Sequence, residues 1–482
     1  MYRNFLFYSS PSHQGRGKTE GGNAVEFKMD NALDLLIQGD LVLEGGVADD
    51  SGVGVKDGVI VGLYAPQENP IAKVTIDASG LLVFPGIVDA HVHSFSIPGV
   101  EGFLGSTPAA AAGGVTTFIE MPYDAGTPTT SPEAFRKKIE RIRREAMVDV
   151  ALLATLKKEG SLDVIFPLVK LGACGFKLSL FETDPERFPR IADGILWDIL
   201  PAIAACRVPV GFHAENDEVI FHLIRKYRQE GKVYPRAHCE TRPVISETTA
   251  VLKLLELARW TGVRLHLYHM SHPRSIHLLQ QFREERVDVT AETCPHYLLL
   301  AEEEMDRLKA LGKINPPLRL REAVEEMWEL LKGGHIDMVT SDHAPWPIER
   351  KQDPDIFANA SGAPGIETLF PLVFSEGVVK RGFSPEQLAR ILCEQPAKRF
   401  KLYPRKGHIA LGADADFTIM DPYMSWTIHG SEMHSSAQWT PYEGFTVQGK
   451  VVRTILRGKV IYDGKEITGQ PGDGQFIAAM GE

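Results

Sequence analysis

Residues 84–93 read FPGIVDAHVH, an apolar run that ends in a His-x-His pair. Apolar β-branched residues followed by polar ones are typical of a buried strand that ends near solvent. Side chains two positions apart lie on the same side of a strand, so the imidazoles of His91 and His93 point toward one place. The segment predicts a buried strand whose end carries two potential metal ligands.

Seven further segments also consist of apolar residues followed by polar ones, and helical patterns lie between most of them. These strand candidates are VTTFIEM (115–121), VDVALLAT (148–155), CGFKLSL (174–180), VPVGFHAEN (208–216), VRLHLYHMS (263–271), VDVTAETCPHY (287–297) and IDMVTSDHAP (336–345). Helix starts are marked by Ser131-Pro132 and by the capping box at 384–387. Eight strand-then-helix units predict an α/β fold of the (β/α)8 barrel type, and a doubly wound open sheet is the alternative.

The two ends of the chain have a different texture, with short apolar runs broken by Gly and Asp. Examples are LDLLIQGDLVLEGG near the start and VVRTILRGKVIYDGK near the end, and such runs are typical of strands and turns. We expect both ends to form one small β-sandwich domain, with the barrel between them. The predicted division is a flexible extension at 1–29, β-sandwich at 30–83, barrel at 84–400, and the rest of the β-sandwich with a tail at 401–482.

The composition is that of an ordinary globular protein, with 44% hydrophobic and 24% charged residues. The net charge of −11 argues against nucleic acid or an anionic membrane as the main partner. The apolar runs have strand length, so we expect no transmembrane helix. Five scattered cysteines without a Cys-x-x-Cys pair and the lack of an apolar signal-peptide core predict a cytoplasmic protein with reduced thiols.

Residues able to bind metal stand at the ends of several predicted strands. Lys177 lies in the fourth strand, and His213, His269 and Asp342 lie at the ends of the fifth, sixth and eighth. In a (β/α)8 barrel, functional side chains project from the C-terminal ends of the strands. Each residue alone has an ordinary structural role, such as a core histidine or a helix cap. Together they indicate a site for Zn²⁺ or another divalent first-row metal.

These motifs resemble the cyclic amidohydrolases, which include allantoinase, hydantoinase, dihydropyrimidinase and dihydroorotase, over about residues 32–478. The resemblance is carried by PGIVDAHVH (85–93), AAAAGGVTTFIEMP (109–122), GFK (175–177), HAEN (213–216), HMS (269–271), ETCPHY (292–297), PPLR (316–319), SDHAP (341–345) and GADADF (412–417). It implies a hydrolase that acts on a small cyclic amide. It also implies a homotetramer or homodimer.

By this resemblance two divalent metal ions, with zinc the first candidate, are bound at the barrel mouth. The implied ligands are His91, His93 and Asp342 for one ion, His213 and His269 for the other, and Lys177 as a bridge. Lys177 would bridge as a carbamate, because a neutral amine can add carbon dioxide whereas an ammonium is unfavourable beside metals. A hydroxide shared by both ions would attack the ring amide, and Asp342 would pass its proton to the leaving nitrogen.

Three aromatic residues separate the sequence from dihydroorotases. Where dihydroorotases carry Arg, Asn and His for the substrate carboxylate, this sequence has Phe95, Tyr123 and Trp346. None of the three is a cation that can bind a carboxylate through two hydrogen bonds. Dihydroorotate is therefore a poor candidate unless other loops supply a cation. The three rings either line a pocket for an apolar ring substituent or pack within loops.

Dihydropyrimidinases and D-hydantoinases carry an oxyanion-stabilising Tyr five residues after the bridging lysine, and this sequence has Glu182 there. The departure favours allantoinase or L-hydantoinase, and the sequence leaves these two open. By resemblance, groups around Asn315 hold the imide edge of the ring, and His343 supports the site. A non-catalytic dihydropyrimidinase-like scaffold is disfavoured because all six ligand residues are present. A phosphotriesterase is disfavoured because the similarity extends beyond the ligands.

Overall fold

The computed structural model describes residues 32–96 and 101–481, so the extension predicted at 1–29 lies outside the described residues. The strands are β1 (Leu33–Leu43), β2 (Gly46–Lys56), β3 (Val59–Tyr64), β4 (Ala72–Pro85), β5 (Ile87–Val92), β6 (Val115–Glu120), β7 (Asp149–Ala154), β8 (Gly175–Ser179), β9 (Pro209–His213), β10 (Arg264–Leu267), β11 (Val289–Thr293), β12 (Met338–Val339), β13 (Phe417–Thr427), β14 (Thr446–Leu456) and β15 (Lys459–Tyr462). The α-helices are α1 (Gly102–Ala112), α2 (Pro132–Glu145), α3 (Leu162–Lys170), α4 (Asp193–Ala205), α5 (Asp217–Gln229), α6 (Ala237–Glu240), α7 (Val244–Thr261), α8 (Pro273–Glu284), α9 (Pro295–Leu299), α10 (Met305–Leu308), α11 (Arg321–Lys332), α12 (Leu369–Val373), α13 (Pro385–Ala389) and α14 (Gln395–Arg399).

Strands β5 to β12 form one eight-stranded sheet in sequence order, and helices connect each strand to the next. The sheet closes on itself because Val92 in β5 pairs in parallel with His343, just beyond β12. The backbone N–H of His93 also donates to the carbonyl of His343 at 2.9 Å. The predicted (β/α)8 barrel is confirmed, and each strand lies within the segment predicted for it. This closure rules out the open-sheet alternative.

The barrel strands are buried on both faces, as expected for a parallel sheet covered by helices outside and by side chains inside. Every residue of β5, β6, β7, β8 and β9 is buried. The predicted helix starts are confirmed, because Ser131 caps α2 by accepting from the N–H of Ala134 and Ser384 forms a capping box with Gln387. Within the described residues, no helix combines the length and apolarity needed to cross a membrane.

The two chain ends form a second, seven-stranded sheet in the order β15-β14-β13-β4-β1-β2-β3. This sheet is rolled around its own core, because Ile60 from edge strand β3 and Ile455 from β14 belong to one cluster of buried side chains. The loop before β13 bonds to the turn between β2 and β3, since the N–H of Ala415 donates to the carbonyl of Gly58 at 2.9 Å. The predicted small β domain built from both ends is therefore confirmed.

A buried lysine joins the β domain to the barrel. The amine of Lys406 lies 2.5 Å from the carboxylate of Asp149 at the start of β7. It also lies 2.6 Å from Asp416, just before β13. Because Asp149 begins its strand, this junction lies at the N-terminal end of the barrel, which in this fold serves stability rather than chemistry. The domain limits near residues 84 and 400 remain a proposal.

Candidate active site

The six predicted ligands stand at the other end of the barrel, where active sites occur in this fold. His91 lies in β5 and His93 follows it, Lys177 lies in β8, His213 ends β9, His269 follows β10, and Asp342 follows β12. All are buried except His93, which is partly exposed. The fold thus brings together six residues that are spread over 252 positions, from 91 to 342, of the sequence.

One half of the site is formed around His91. Its Nε2 lies 2.8 Å from the Nζ of Lys177 and 3.1 Å from Oδ1 of Asp342. The same carboxylate oxygen lies 3.4 Å from Nε2 of His93. His91, His93 and Asp342 therefore present their donor atoms closely enough to hold one metal ion.

His213 and His269 form the other half. Nδ1 of His213 lies 3.0 Å from Nε2 of His269. The ring of His269 is stacked 5.4 Å from that of His91, measured between ring centres. The two halves therefore face a single small space.

Burial keeps His91, His93 and His269 neutral. Desolvation, with the nearby charge of Lys177, lowers the pKa of His91 well below its usual value and lowers that of His93 to about 4. Desolvation and the neighbouring His213 similarly lower the pKa of His269. A neutral imidazole keeps a lone pair on one nitrogen, which is the form that binds metals.

Lys177 is fully enclosed, with its Nζ beside His91 and 4.0 Å from the centre of the Tyr268 ring. Burial lowers the pKa of Lys177 to about 8, although Asp342 and Glu292 act in the opposite direction. A neutral amine is therefore accessible near neutral pH. This is the form of lysine that can add carbon dioxide.

Asp342 is buried but ionised. Burial raises its pKa, but the hydrogen bond from His93 and the charge of Lys177 outweigh that effect and lower it. The backbone at Asp342 has φ 46° and that at His269 has φ 44°. Left-handed backbone is uncommon outside glycine and costs on the order of 1–3 kcal/mol at each position. Both strained residues aim donor atoms into the site.

Two buried glutamates lie behind the histidines. Glu292 at the end of β11 accepts from Nδ1 of His91 at 2.5 Å and from the N–H of His269 at 3.3 Å. Glu215 contacts Nε2 of His213 at 2.7 Å. Although burial opposes ionisation, Arg242 and His213 hold the pKa of Glu215 at about 2. Such carboxylates fix which ring nitrogen carries the proton.

The arrangement fits a bound cation. His91 and His213 each give one nitrogen to a buried carboxylate, so the nitrogens that face the site carry lone pairs. These lone pairs converge with the ionised carboxylate of Asp342, and converging electron pairs repel unless a cation lies between them. Imidazole and carboxylate donors suit zinc and other divalent first-row metals.

A cavity of about 320 Å³ opens over the donor atoms. Asn315 and Trp346 line it, as do the backbone and side chains of residues 358–362. The indole N–H of Trp346 donates to the carbonyl of Ser361 at 2.8 Å, which fixes the ring in the wall. The cavity is of the size that holds a small-molecule ligand.

The other two aromatic residues of the trio lie behind the wall. The Phe95 ring packs edge-on against Phe103, with ring centres 4.7 Å apart. Tyr123 is buried and stacks at 3.7 Å on Phe188, which does line the cavity. Neither Phe95 nor Tyr123 is among the described residues that line the cavity, so a direct role in contacting substrate is supported for Trp346 alone of the three.

Two arginines that the sequence analysis missed also line the cavity. Arg187 lies in the loop between β8 and α4, and Arg350 lies in the segment after Trp346. Other loops therefore do supply cations.

Glu182, which stands where related enzymes carry the oxyanion-stabilising Tyr, pairs instead with Lys158 at 2.5 Å.

His343, which follows Asp342 in the chain, is fully buried. Its Nε2 bonds to Oε1 of Glu101 at 2.8 Å, and its Nδ1 accepts from the N–H of Gly365 at 3.1 Å. These contacts hold the chain immediately after Asp342. They connect that residue to the start of α1.

The sequence and the fold were compared with those of known proteins. The profile described as "Amidohydrolase family" matches residues 82–461. The chain belongs to the amidohydrolase family. Among relatives of this amidohydrolase, the allantoinase of Rubrobacter xylanophilus is 38% identical over 457 residues, which cover 94% of this chain and 99% of that protein. The L-hydantoinase of Paenarthrobacter aurescens is 35% identical, over 88% of this chain and 93% of that protein.

Solved structures agree with the fold of this amidohydrolase. The L-hydantoinase (dihydropyrimidinase) from Arthrobacter aurescens superposes with a TM-score of 0.90 and 34% identity, covering 92% of this chain and 100% of that one. A D-hydantoinase superposes with a TM-score of 0.86 and 30% identity, covering 92% and 98%. The likeness includes the β domain as well as the barrel.

Proposed function

We propose that this amidohydrolase uses divalent metal ions to open the ring of a small cyclic ureide. The observation that carries the proposal is the convergence of four imidazoles, a carboxylate and a buried amine on the floor of a small cavity. The relatives named allantoinase and L-hydantoinase support a cyclic ureide as substrate class. Allantoin and 5-substituted hydantoins both belong to that class.

We propose two ions, with zinc the first candidate. The proposed ligands are His91, His93 and Asp342 for one ion, His213 and His269 for the other, and carboxylated Lys177 as the bridge between them. When bound, the ions would polarise the ring carbonyl and make water more acidic. The lowered pKa of Lys177, about 8, supports the bridge because the neutral amine is the form that becomes a carbamate.

Asp342 is the residue proposed to move the proton. Its carboxylate is ionised, lines the cavity and is hydrogen-bonded to His93. It would accept a proton from the attacking water and deliver it to the ring nitrogen as the carbon–nitrogen bond breaks. The products are a carboxylate and an N–H on the former ring nitrogen.

The cavity wall would orient the ring. We propose that groups around Asn315 bond to the imide edge, and that Trp346, held by Ser361, packs against one side. Tyr123 and Phe95 would act indirectly, Tyr123 by supporting Phe188 in the wall.

We further propose a homotetramer or homodimer in the cytoplasm, where the five cysteines, all unpaired, would stay reduced.

A substrate panel on zinc-loaded protein supplied with bicarbonate tests this function. The panel contains allantoin, 5-alkyl and 5-aryl hydantoins, dihydrouracil and dihydroorotate, with a phosphotriester as the negative control. We expect opening of allantoin or a hydantoin and no turnover of the phosphotriester. Because Arg187 and Arg350 line the cavity, dihydroorotate is included to test whether they bind a ring carboxylate. Lys177→Ala should lose activity together with metal. Metal-loaded protein that opens no cyclic ureide would contradict the proposal.

A further inference from the structure

Arg187 is a cation in the cavity wall that neither metal binding nor proton transfer uses. Arg187 lines the cavity next to Phe188. Within the described residues, the guanidinium donates one hydrogen bond, to the carbonyl of Tyr123 at 3.0 Å. The nearby carboxylates are engaged elsewhere, because Asp184 accepts from backbone N–H groups and Asp124 pairs with Lys138.

The guanidinium is held in a fixed position. The backbone N–H of Arg187 donates to the side chain of Asp184 at 2.8 Å. Tyr123, which accepts from the guanidinium, is itself anchored by donating its hydroxyl to the carbonyl of Lys177 at 3.0 Å and by stacking on Phe188. A cation fixed before binding loses little conformational entropy when a ligand arrives.

Apart from the proposed metal ligands, the charged side chains that line the cavity are cationic. Arg187 and Arg350 line it, and Asp342 is the one carboxylate among the described lining residues. Arg187 is close enough to His93 to contribute to the lowered pKa of that imidazole. A half-buried guanidinium with unused N–H groups binds hydrogen-bond acceptors strongly, and most strongly through two parallel bonds.

We propose that Arg187 is a specificity-determining residue that binds an acceptor group on the ring substituent, and that this group is the ureido carbonyl of an allantoin-type substrate. The proposal rests on the proposed function and narrows it. An alkyl or aryl substituent would gain nothing from the guanidinium and would contact only Phe188 and Trp346. A carboxylate on the ring could also accept hydrogen bonds from Arg187, so dihydroorotate is the alternative substrate.

Steady-state kinetics of Arg187→Met test the proposal on metal-loaded protein. We expect kcat/KM for allantoin to fall by about 10- to 100-fold, the effect of one charge-assisted hydrogen bond, mainly through KM. For 5-benzylhydantoin we expect a change smaller than about threefold, because no acceptor is lost. Metal content and the thermal midpoint should match those of the wild type.

Arg190→Met is the matched control. Arg190 lies in the same loop but pairs with Asp217 at 3.1 Å and is not among the described lining residues. It should keep wild-type kinetics on both substrates. Equal losses on allantoin and benzylhydantoin, or no loss on either, would overturn the role of Arg187. A larger loss on dihydroorotate than on allantoin would assign the site to a ring carboxylate instead. A wild-type enzyme that opens no ureide would refute the proposed function, and this inference with it.

Discussion

Buried carboxylates contact one ring nitrogen of His91 and one of His213, and so leave the other nitrogen of each ring facing the site. Glu292 contacts Nδ1 of His91 and is also bonded to Nε2 of His266 at 3.1 Å, so the lone pair of His91 points into the site. Burial raises the pKa of Glu292 well above its usual value. Glu292 is not among the described residues that line the cavity, so its proposed role is to orient His91.

We predict that Glu292→Gln weakens metal binding by about 10- to 100-fold, because an amide is a poorer acceptor for the imidazole N–H. Competition with a chelator measures the change in affinity. Glu284→Gln, at an exposed position of α8, is the control and should match the wild type. Equal metal affinity in the two variants would show that Glu292 does not orient His91.

The two roles proposed for Asp342, metal ligation and proton transfer, can be tested separately. We predict that Asp342→Asn keeps most of the metal, because the amide oxygen remains a donor, but lowers kcat by about 10²- to 10⁴-fold, because the amide cannot take the proton. Metal content and kcat measured on the same sample check both parts. Unchanged activity would remove Asp342 from its assigned role.

At the scale of the elements, the strand ends were predictable and the loops were not. The strands are continuous apolar runs because a parallel sheet is covered on both faces, and ligands such as His213 mark their ends. The sequence of the loop that carries Arg187 is polar and does not indicate which side chain turns inward. That orientation depends on the Tyr123 carbonyl, which lies 64 residues away. The inward orientation of Trp346 and the outward packing of Phe95 could not be distinguished for the same reason.

Strand β9 contains a glycine that the site requires. Gly211 pairs with Lys177 in β8, and a Cβ there would lie 2.0 Å from the Tyr268 ring. That ring in turn lies 4.0 Å from the Lys177 amine. The glycine therefore allows Tyr268 to pack against Lys177.

We predict that Gly211→Ala pushes this ring toward Lys177, destabilises the fold by about 1–3 kcal/mol and lowers metal content. The thermal midpoint and the metal content per chain measure the two effects. Gly194→Ala, in the first turn of α4 with nothing near its added Cβ, is the control. The prediction fails if both variants keep the wild-type midpoint and metal content.

At the scale of the whole molecule, the candidate active site and the buried ion pairs of Lys406 lie at opposite ends of the barrel. Lys406 at the lower end lies among Asp149, Asp414 and Asp416 and joins the β domain to the barrel. Although burial raises the pKa of Asp149, Lys406 and Arg457 lower it overall. Asp149 therefore adds stability above its unfolded pKa, and that stability is lost as the pH falls through its lower folded value.

We predict that Lys406→Met costs about 3–5 kcal/mol at pH 7.5, because it removes the buried cation that Asp149 and Asp416 share. Their pKa values rise in the variant, so they take up protons earlier and the deficit should shrink as the pH falls toward 5. Urea denaturation at both pH values measures it. Lys398→Met, which removes an exposed ion pair with Glu394 and a contact with the Tyr403 ring, should change stability by less than about 1 kcal/mol. A deficit that grows on acidification would contradict the prediction.

The contacts that unite the molecule were the least visible in the sequence. His91 and Glu292 are 201 positions apart, and a glutamate that ends a strand has no feature that reveals its partner. The β domain was recognisable because both ends share one pattern of short apolar runs and turns. The rolled shape of its sheet depends on packing between its edges, which sequence periodicity does not show.

Anomalous diffraction at the zinc edge, from crystals grown with zinc and bicarbonate, tests the central claim most directly. We predict two peaks at the barrel mouth, each about 2.0–2.2 Å from its nitrogen and carboxylate ligands. Density for a carbamate on Lys177 should connect the two. A single peak, no peak, or zinc bound away from His91, His213 and Asp342 would contradict it.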